Sequence, residues 1–464
     1  MTYFFETYGC QMNLAESASV EQLFLARGWT KADDAETADI AVINTCSVRA
    51  TAENRVFGRL GWYAGVKAVR SCDKDAKFKS LTKAAALVQN GPRPLTLVVM
   101  GCMAERLLKT LKRDYPVVDY VVGTFAKKEF SRIIDAVERN DSPVELDDSQ
   151  IYQFAATSYE PGAFTTFVPI MHGCNNFCTY CIVPYVRGRE LSRPVDEILK
   201  EIDVLSSYGV KEITLLGQNV NSYNGPLSKD SEDRIQFPEL MERIAVHIRD
   251  TASPIGWVRF VSSHPKDLSD TLIDVLAKYP VLCHHIHLPV QHASNRMLKA
   301  MNRRYTKEQY LALVDRIRAR IPDVSLTTDV MVGFPGETEE DVTELIEFMK
   351  QVRYESSFMY YYNPREGTPA CTMAGQVPVP VKKERLQRII DLQLAITGQE
   401  MAKRTGNTVQ VLVESVSRDN DGELLGKTAQ DERVAFAAPR SCIGSFVQVH
   451  LDALSGNTFR GTMV

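Results

Sequence analysis

His172-Gly173-Cys174-Asn175-Asn176-Phe177-Cys178-Thr179-Tyr180-Cys181 follows directly on an apolar run from Phe167 to Met171. Three thiolates on one short CxxxCxxC loop can ligate three irons of a [4Fe–4S] cube and leave the fourth iron open. An open iron can chelate the amino and carboxylate groups of S-adenosylmethionine, whose reductive cleavage releases a 5′-deoxyadenosyl radical. A zinc ion held by the three cysteines and His172 is the alternative, because structural zinc takes four ligands. A closed electron-transfer cluster would normally use four cysteines.

Working outward, the loop ends the first of six strand candidates: Phe167 to Met171, Glu212 to Leu216, Trp257 to Val261, His285 to Pro289, Leu326 to Val332 and Ser357 to Tyr362. Helical patterns lie between them, over Pro194 to Ser207, Asp267 to Lys278 and Thr306 to Ala319. Six successive βα units predict a partial (βα)6 barrel with its site at the carboxyl ends of the strands.

The first ~140 residues repeat one theme, an apolar strand running into a cysteine and then a helix. Tyr3 to Tyr8 leads to Cys10, Ile40 to Asn44 to Cys46, and Leu97 to Met100 to Cys102. The helices are expected from Asn13, with Glu16 completing a capping box, from Val48, and over Ala104 to Leu111. Such alternation predicts a parallel α/β sheet with ligands outside the carboxyl ends of its strands, where all three cysteines fall. Buried thiols are the bland reading of that trio, and a shared metal or cluster site the sharper one. Cys72, Cys283, Cys371 and Cys442 have no partners at ligand spacing. The stretch from Ala64 to Pro94 reads as an insertion, and an irregular acidic run after Asn140 as a linker.

Beyond a helix from Lys382 to Lys403, short alternating runs (Val409 to Val416, Gly422 to Thr428, Val434 to Ala437, Phe446 to Leu451, Thr458 to Val464) predict a small antiparallel β-barrel. The expected domains are thus 1–140, a linker 141–160, a barrel 161–400 and a C-terminal barrel 401–464.

Over 464 residues, 54 Lys plus Arg against 58 Asp plus Glu leave a net charge of −4, which argues against a polybasic nucleic-acid coat. RNA contact must come from local patches. Residues 299–320 carry seven basic and two acidic side chains, with Arg303 and Arg304 beside Tyr305, a combination suited to phosphates and splayed bases. Arg187 and Arg189, shortly past Cys181, are placed to meet an RNA substrate or to pair with nearby acids. Gln218 and Asn219 end the second barrel strand; Gly333 and Gly336 follow the fifth. A secretory signal is absent from MTYFFETYGC, and the longest uncharged stretch is too polar to span a membrane, so a cytoplasmic protein without membrane association is expected.

The motifs YGCQMNLAES (8–17), NTCSVR (44–49), GCMAER (101–106), HGCNNFCTYCIVPYVRGRE (172–190), LLGQNVNSY (215–223), HIHLPVQ (285–291), KAMNRRYT (299–306) and VGFPGETEED (332–341) together resemble the methylthiotransferases of the radical S-adenosylmethionine superfamily, in their tRNA branch. The likeness spans the chain. It departs at Ala64 to Pro94, which is long for the family, and at His292-Ala293-Ser294, where Ser-Gly-Ser is more usual.

The resemblance implies an N-terminal α/β domain, a radical barrel and a C-terminal TRAM barrel. It implies two [4Fe–4S] clusters, an auxiliary one on Cys10, Cys46 and Cys102 that carries sulfur, and a radical-generating one on Cys174, Cys178 and Cys181. One S-adenosylmethionine would donate methyl and another the radical, placing a methylthio group at C2 of an isopentenylated adenosine beside the anticodon. Gln218, Asn219, Gly333 and Gly336 would contact the cofactor; Arg187, Arg189, Arg303 and Arg304 would contact RNA. The implied partners are tRNA, an electron donor such as a flavodoxin or ferredoxin, and a sulfur or iron–sulfur supplier, with the protein a monomer. Threonylcarbamoylated adenosine or a ribosomal protein are alternative substrates. An RNA-binding iron–sulfur redox sensor without catalysis is the alternative of another class.

Overall fold

Strands buried on both faces build the first part of the chain: Ile40–Thr45 is buried throughout, and Thr96–Gly101 from Leu97 onward. The computed structural model describes residues 1–47, 50–73, 81–89, 92–147, 151–157, 159–418 and 420–464. They divide into two compact units: residues 1–161, 167–175 and 182–191, and residues 162–166, 176–181 and 192–464.

The first unit holds a parallel five-stranded sheet ordered Thr30–Lys31, Thr2–Tyr8, Ile40–Thr45, Thr96–Gly101, Tyr120–Val122. Its residues alternate between two cores, as the two-residue period of a strand requires. Tyr3, Ile40, Val42, Val98 and Met100 pack with Phe24, Trp29 and Phe130 on one side; Ala41, Ile43, Leu97 and Val99 pack with Val56, Leu60 and Tyr63 on the other. The two short strands, Thr30–Lys31 and Tyr120–Val122, escaped the sequence reading because two or three residues carry no period.

The first helix, Gln11–Ala26, begins earlier than expected: Cys10 occupies its N-cap, and Asn13 sits within the first turn. The backbone N–H of Cys10 donates to Asn13 Oδ1 at 3.2 Å, so Asn13 rather than Glu16 closes the helix start. The helix expected from Val48 is described from Ala50, over Ala50–Arg70, since residues 48–49 lie outside the described residues. That helix runs well into the stretch read as an insertion. Tyr63 and Val66 are in the core, and the buried Arg70 guanidinium donates to the carbonyls of Ala38, Arg93 and Pro94. Residues 74–80 and 90–91 of that stretch lie outside the described residues.

In the second unit the expected strands are found at Glu212–Leu216, Trp257–Phe260, His285–His287, Ser325–Val332 and Ser356–Tyr361. Pairing is parallel within Glu212–Leu216/Trp257–Phe260 and along His285–His287, Ser325–Val332 and Ser356–Tyr361. The carbonyl of Phe164, just before the strand Thr165–Pro169, accepts from the N–H groups of Lys211 and Glu212. Helices Val195–Ser207, Phe237–Asp250, Asp270–Lys278, Lys307–Arg320 and Glu339–Val352 alternate with these strands.

Helix Val379–Ala402 leads into a closed five-stranded barrel ordered Thr408–Val416, Glu423–Thr428, Arg433–Ala437, Thr458–Met463, Phe446–Ser455. One pair, Arg433–Ala437 with Thr458–Met463, is parallel and the rest are antiparallel. This barrel docks on the base of the α/β strands. Trp257 meets Phe446 edge to face with centroids 4.8 Å apart, and Cys283 and Leu412 are buried beside them. The buried Arg259 donates to Glu212 at 2.9 Å and to the carbonyls of Thr428 and Ala429, each at 2.7 Å. Lys427 takes the other oxygen of Glu212 at 2.7 Å. No helix among the described residues is long and apolar enough to cross a membrane.

Candidate functional site

In the first unit, three adjacent parallel strands each run out into a cysteine: Cys10, Cys46 and Cys102. Glycine permits the tight exits. A Cβ on Gly9 would fall 2.3 Å from Asn13 Oδ1, and one on Gly101, at φ +96°, 2.5 Å from Asn44 Oδ1. Asn13 and Asn44 are themselves fully buried and interlocked: Asn13 Nδ2 donates to Asn44 Oδ1 at 2.9 Å, and Asn44 Nδ2 to the Asn13 carbonyl at 2.8 Å. This amide pair ties the loops of Cys10 and Cys46 together.

The trio is held unevenly. A hydrogen bond with the Cys46 thiol, aided by Arg187 and working against burial, draws Cys10 down to about 6. Burial pushes Cys102 up to about 11, although Arg187 opposes it. Arg187 Nε donates to Cys102 Sγ at 3.2 Å, and its two terminal nitrogens donate to Glu16 at 2.8 and 3.1 Å. Burial would raise the Glu16 carboxyl, but Arg187 and Lys127 hold it below its ordinary range. His172 lies in the same unit, stacked on Tyr152 with centroids 3.6 Å apart. Burial first, then Arg187 and Lys127, keep its imidazole neutral.

The CxxxCxxC loop crosses between the units: Cys174 belongs to the first, Cys178 and Cys181 to the second. In the first, Cys174 N–H donates to the Gly188 carbonyl at 3.1 Å, and a Cβ on Gly173 (φ +79°) would meet the Arg189 carbonyl at 2.1 Å. In the second, residues 176–181 are clasped by the turn after helix Asn295–Ala300. Thr179 donates through N–H to Met301 O at 3.2 Å and through Oγ1 to Ala300 O at 2.9 Å. Arg303, fully enclosed, donates to Pro289 O at 2.6 Å and reaches Cys178 Sγ at 3.5 Å and the Tyr180 hydroxyl at 3.4 Å.

Arg187 and Arg303 therefore stand where the expectation of RNA contact does not fit: both are 5% exposed or less, with their guanidinium nitrogens engaged inside the protein. Arg189 and Arg304 are exposed. Asn219 is buried, donating to Asp267 at 2.8 Å with Oδ1 unpartnered, and Gln218 beside it is half-buried. Gly333 (φ +71°) donates its N–H to Glu337 Oε1 at 2.7 Å, while Gly336 (φ +78°) donates to Gly375 O at 2.8 Å and accepts from Arg296. The shape of that turn is thus set by the buried Glu337, which also takes Arg385 at 2.9 Å. His292 faces Glu337 at 3.3 Å; its Nδ1 accepts the N–H groups of Ala293 and Ser294, so Nε2 carries the proton.

Among the described residues no three His, Cys, Asp or Glu side chains converge on a point suited to one ion. A cube spreads its thiolates over separate irons, so its fit is judged by donor chemistry. In the first unit Cys10, Cys46 and Cys102 offer soft sulfur donors, mostly buried, with the enclosed Arg187 guanidinium beside one of them, which suits an anionic iron–sulfur cluster. In the second unit the enclosed Arg303 stands likewise beside Cys178. The residues that sequence reasoning missed here, Glu16 as an ion-pair partner, Lys127, Asn44, and Asn302, whose Nδ2 donates to the Phe177 carbonyl at 3.0 Å, gave no local signal, because each acts through contacts distant in sequence.

Residues 168–349 match the radical SAM superfamily, residues 2–123 the uncharacterized protein family UPF0004, and residues 402–464 the TRAM domain. The chain is 49% identical to the tRNA-2-methylthio-N(6)-dimethylallyladenosine synthase of Treponema pallidum (strain Nichols), covering 100% of this chain and 99% of that one. The synthase of the same name from Treponema denticola is 49% identical with both chains covered in full, and that from Carboxydothermus hydrogenoformans 41% identical over 97% and 96%. Among solved structures, the radical S-adenosylmethionine methyltransferase TsrM from Kitasatospora setae shares the fold, with a TM-score of 0.54, 14% identity, and 80% of this chain and 77% of that one covered. With relatives this similar over their whole length, the chain belongs to the tRNA-2-methylthio-N(6)-dimethylallyladenosine synthase family of radical SAM proteins.

Proposed function

We propose that this chain is a tRNA-modifying methylthiotransferase that installs a 2-methylthio group at C2 of an isopentenylated adenosine beside the anticodon. The observation that carries the reading is its 49% identity, over the full length of both chains, to synthases named for that product. As a radical SAM protein it uses S-adenosylmethionine and a [4Fe–4S] cluster. We assign that cluster to Cys174, Cys178 and Cys181, and a second one to Cys10, Cys46 and Cys102. When bound, cluster and cofactor supply a carbon radical strong enough to take hydrogen from an aromatic C–H, which offers no acidic proton to a general base.

The chain's own residues hold and enclose. Thr179 and Asn302 fix the path of the cysteine loop, and the buried Arg303 stands against Cys178. Asn219, with an unpartnered buried oxygen at the end of the second strand, and Gln218 are cofactor contacts in this reading. Gly333 and Gly336 serve it through turn shape, since their N–H groups are already bonded within the protein. The exposed Arg189 and Arg304 meet tRNA phosphates in this reading, with the C-terminal TRAM barrel as an RNA module. An electron donor of the flavodoxin or ferredoxin class and a sulfur or iron–sulfur supplier complete the scheme, in the cytoplasm.

The test is nucleoside analysis of tRNA from cells lacking the gene, with and without a plasmid copy. The reading expects the 2-methylthio form of isopentenyladenosine to vanish and its unthiolated precursor to accumulate. Unchanged 2-methylthio content there, with a loss in threonylcarbamoyladenosine or in a ribosomal protein instead, would overturn the substrate. Purified anaerobic protein that releases no 5′-deoxyadenosine from S-adenosylmethionine would favour a redox sensor.

A further inference from the structure

Arg187 follows the barrel's cysteine motif in sequence by six positions, yet its side chain is spent on the other trio. Arg187 is 2% exposed, an expensive place for a charge unless the surroundings answer it. Glu16 answers through two hydrogen bonds, at 2.8 and 3.1 Å, and fixes the plane of the fork. That leaves Nε to point at Cys102 Sγ, 3.2 Å away. Lys127 Nζ adds a second cation 3.9 Å from Glu16 Oε1. Two cations thus face one carboxylate beside the cysteines. Arg187 and Lys127 against Glu16 alone leave a positive balance, a setting that favours anionic sulfur.

We infer that Arg187 is a positioning residue of the N-terminal cluster, donating to the Cys102 ligand sulfur and setting the cluster's reduction potential, with Glu16 as the counterweight that tunes the donated charge. The inference rests on the proposed second cluster at Cys10, Cys46 and Cys102. Its physical basis is that reduction adds an electron to a buried anionic group. A cation hydrogen-bonded to a ligand sulfur stabilises the reduced form and raises the potential, and a nearby carboxylate does the reverse. Arg187→Gln and Glu16→Gln should therefore move the same property in opposite directions, which loss of packing alone would not do.

The experiment uses full-length protein reconstituted anaerobically, with iron and sulfide counted per chain and both cluster signals followed by potentiometric EPR titration. Expected are a more negative midpoint for the N-terminal cluster in Arg187→Gln, a more positive one in Glu16→Gln, and a smaller displacement in Arg187→Lys, which keeps charge but loses the fork. The barrel cluster's midpoint serves as the internal reference and should stay in place. Shifts of one sign in both Gln variants, or none in either with iron content intact, would overturn the inference. So would displacement confined to the barrel cluster. Wild-type protein that titrates as a single cluster, assigned by Cys178→Ala to the barrel, would remove the second cluster itself. That result is visible before any Arg187 variant is made.

Discussion

Asn302 and Phe177 both hold left-handed backbone conformations, φ 57° and 50°, and are joined by a 3.0 Å hydrogen bond from Asn302 Nδ2 to the Phe177 carbonyl. The same amide reaches Asn176 O at 3.2 Å. One side chain thus pins the strained first half of the loop that carries Cys178. Asn302→Ala leaves two carbonyls without their donor, at a cost of about 1–3 kcal/mol. We expect a lower melting temperature and faster loss of iron to a chelator, measured on the reconstituted protein. Asn302→Asp, which cannot donate, should behave like Ala.

The two cysteine trios predict a clean division of labour. Cys178→Ala should abolish 5′-deoxyadenosine release while leaving the iron signal of the N-terminal trio. Cys46→Ala should preserve cofactor cleavage and stop sulfur insertion into tRNA. Loss of one and the same iron signal in both variants would refute two separate sites.

The C-terminal barrel is locked to the α/β barrel through charges taken out of water. Arg259 is 4% exposed and Glu212 2%, and Lys427 shares the carboxylate. Removing Arg259 leaves Glu212 with Lys427 as its remaining cation and takes the donor from the Thr428 and Ala429 carbonyls, at up to about 3–5 kcal/mol. Arg259→Met should therefore lower the melting temperature strongly and let limited proteolysis release a fragment beginning near Gly406. A variant that resists the protease as well as the parent would show that the apolar contact of Trp257 with Phe446 suffices alone.

Two buried histidines make the second unit sensitive to acid. Burial holds His285 down to about 4, and burial with the Arg303 charge nearby holds His264 down to about 2. The unfolded chain, with imidazoles near 6.5, binds protons that the folded one refuses, so stability is full above that value and declines as pH falls through it. Below about 4 the His285 contribution is spent and only that of His264 continues. Denaturant unfolding between pH 7.5 and 5 should show this decline, and His285→Gln should make it shallower, leaving the His264 share in place.

The strand framework was readable because buried parallel strands are rich in β-branched and apolar residues, as in Ile213–Leu216, Val330–Val332 and Ile40–Ile43, each within a strand that is mostly buried. The CxxxCxxC motif stands out because its spacing is local, and Cys10, Cys46 and Cys102 because each follows a strand-like run. What could not be read is who answers a charge. Arg187 and Glu16 lie 171 positions apart, and a basic side chain looks alike in sequence whether it faces phosphate or is sealed against a carboxylate. The basic run at 299–320 misled for the same reason: Arg303 folds inward while its neighbour Arg304 does not. Asn favours the N-cap and so Asn13 suggests one, but Cys10 holds that position and Asn13 closes the turn from inside.

The first unit borrows residues 167–175 and 182–191 from beyond the point where its opening stretch of chain ends. Snipping the gene after codon 161 would leave that unit without Arg187 and His172, however well its five-stranded sheet survived. A swap of the amino-terminal half between two relatives would likewise pair one parent's Cys102 with the other parent's arginine. Chimeras joined after residue 191 keep these neighbours from a single ancestor and are the better tool for asking which half chooses the RNA.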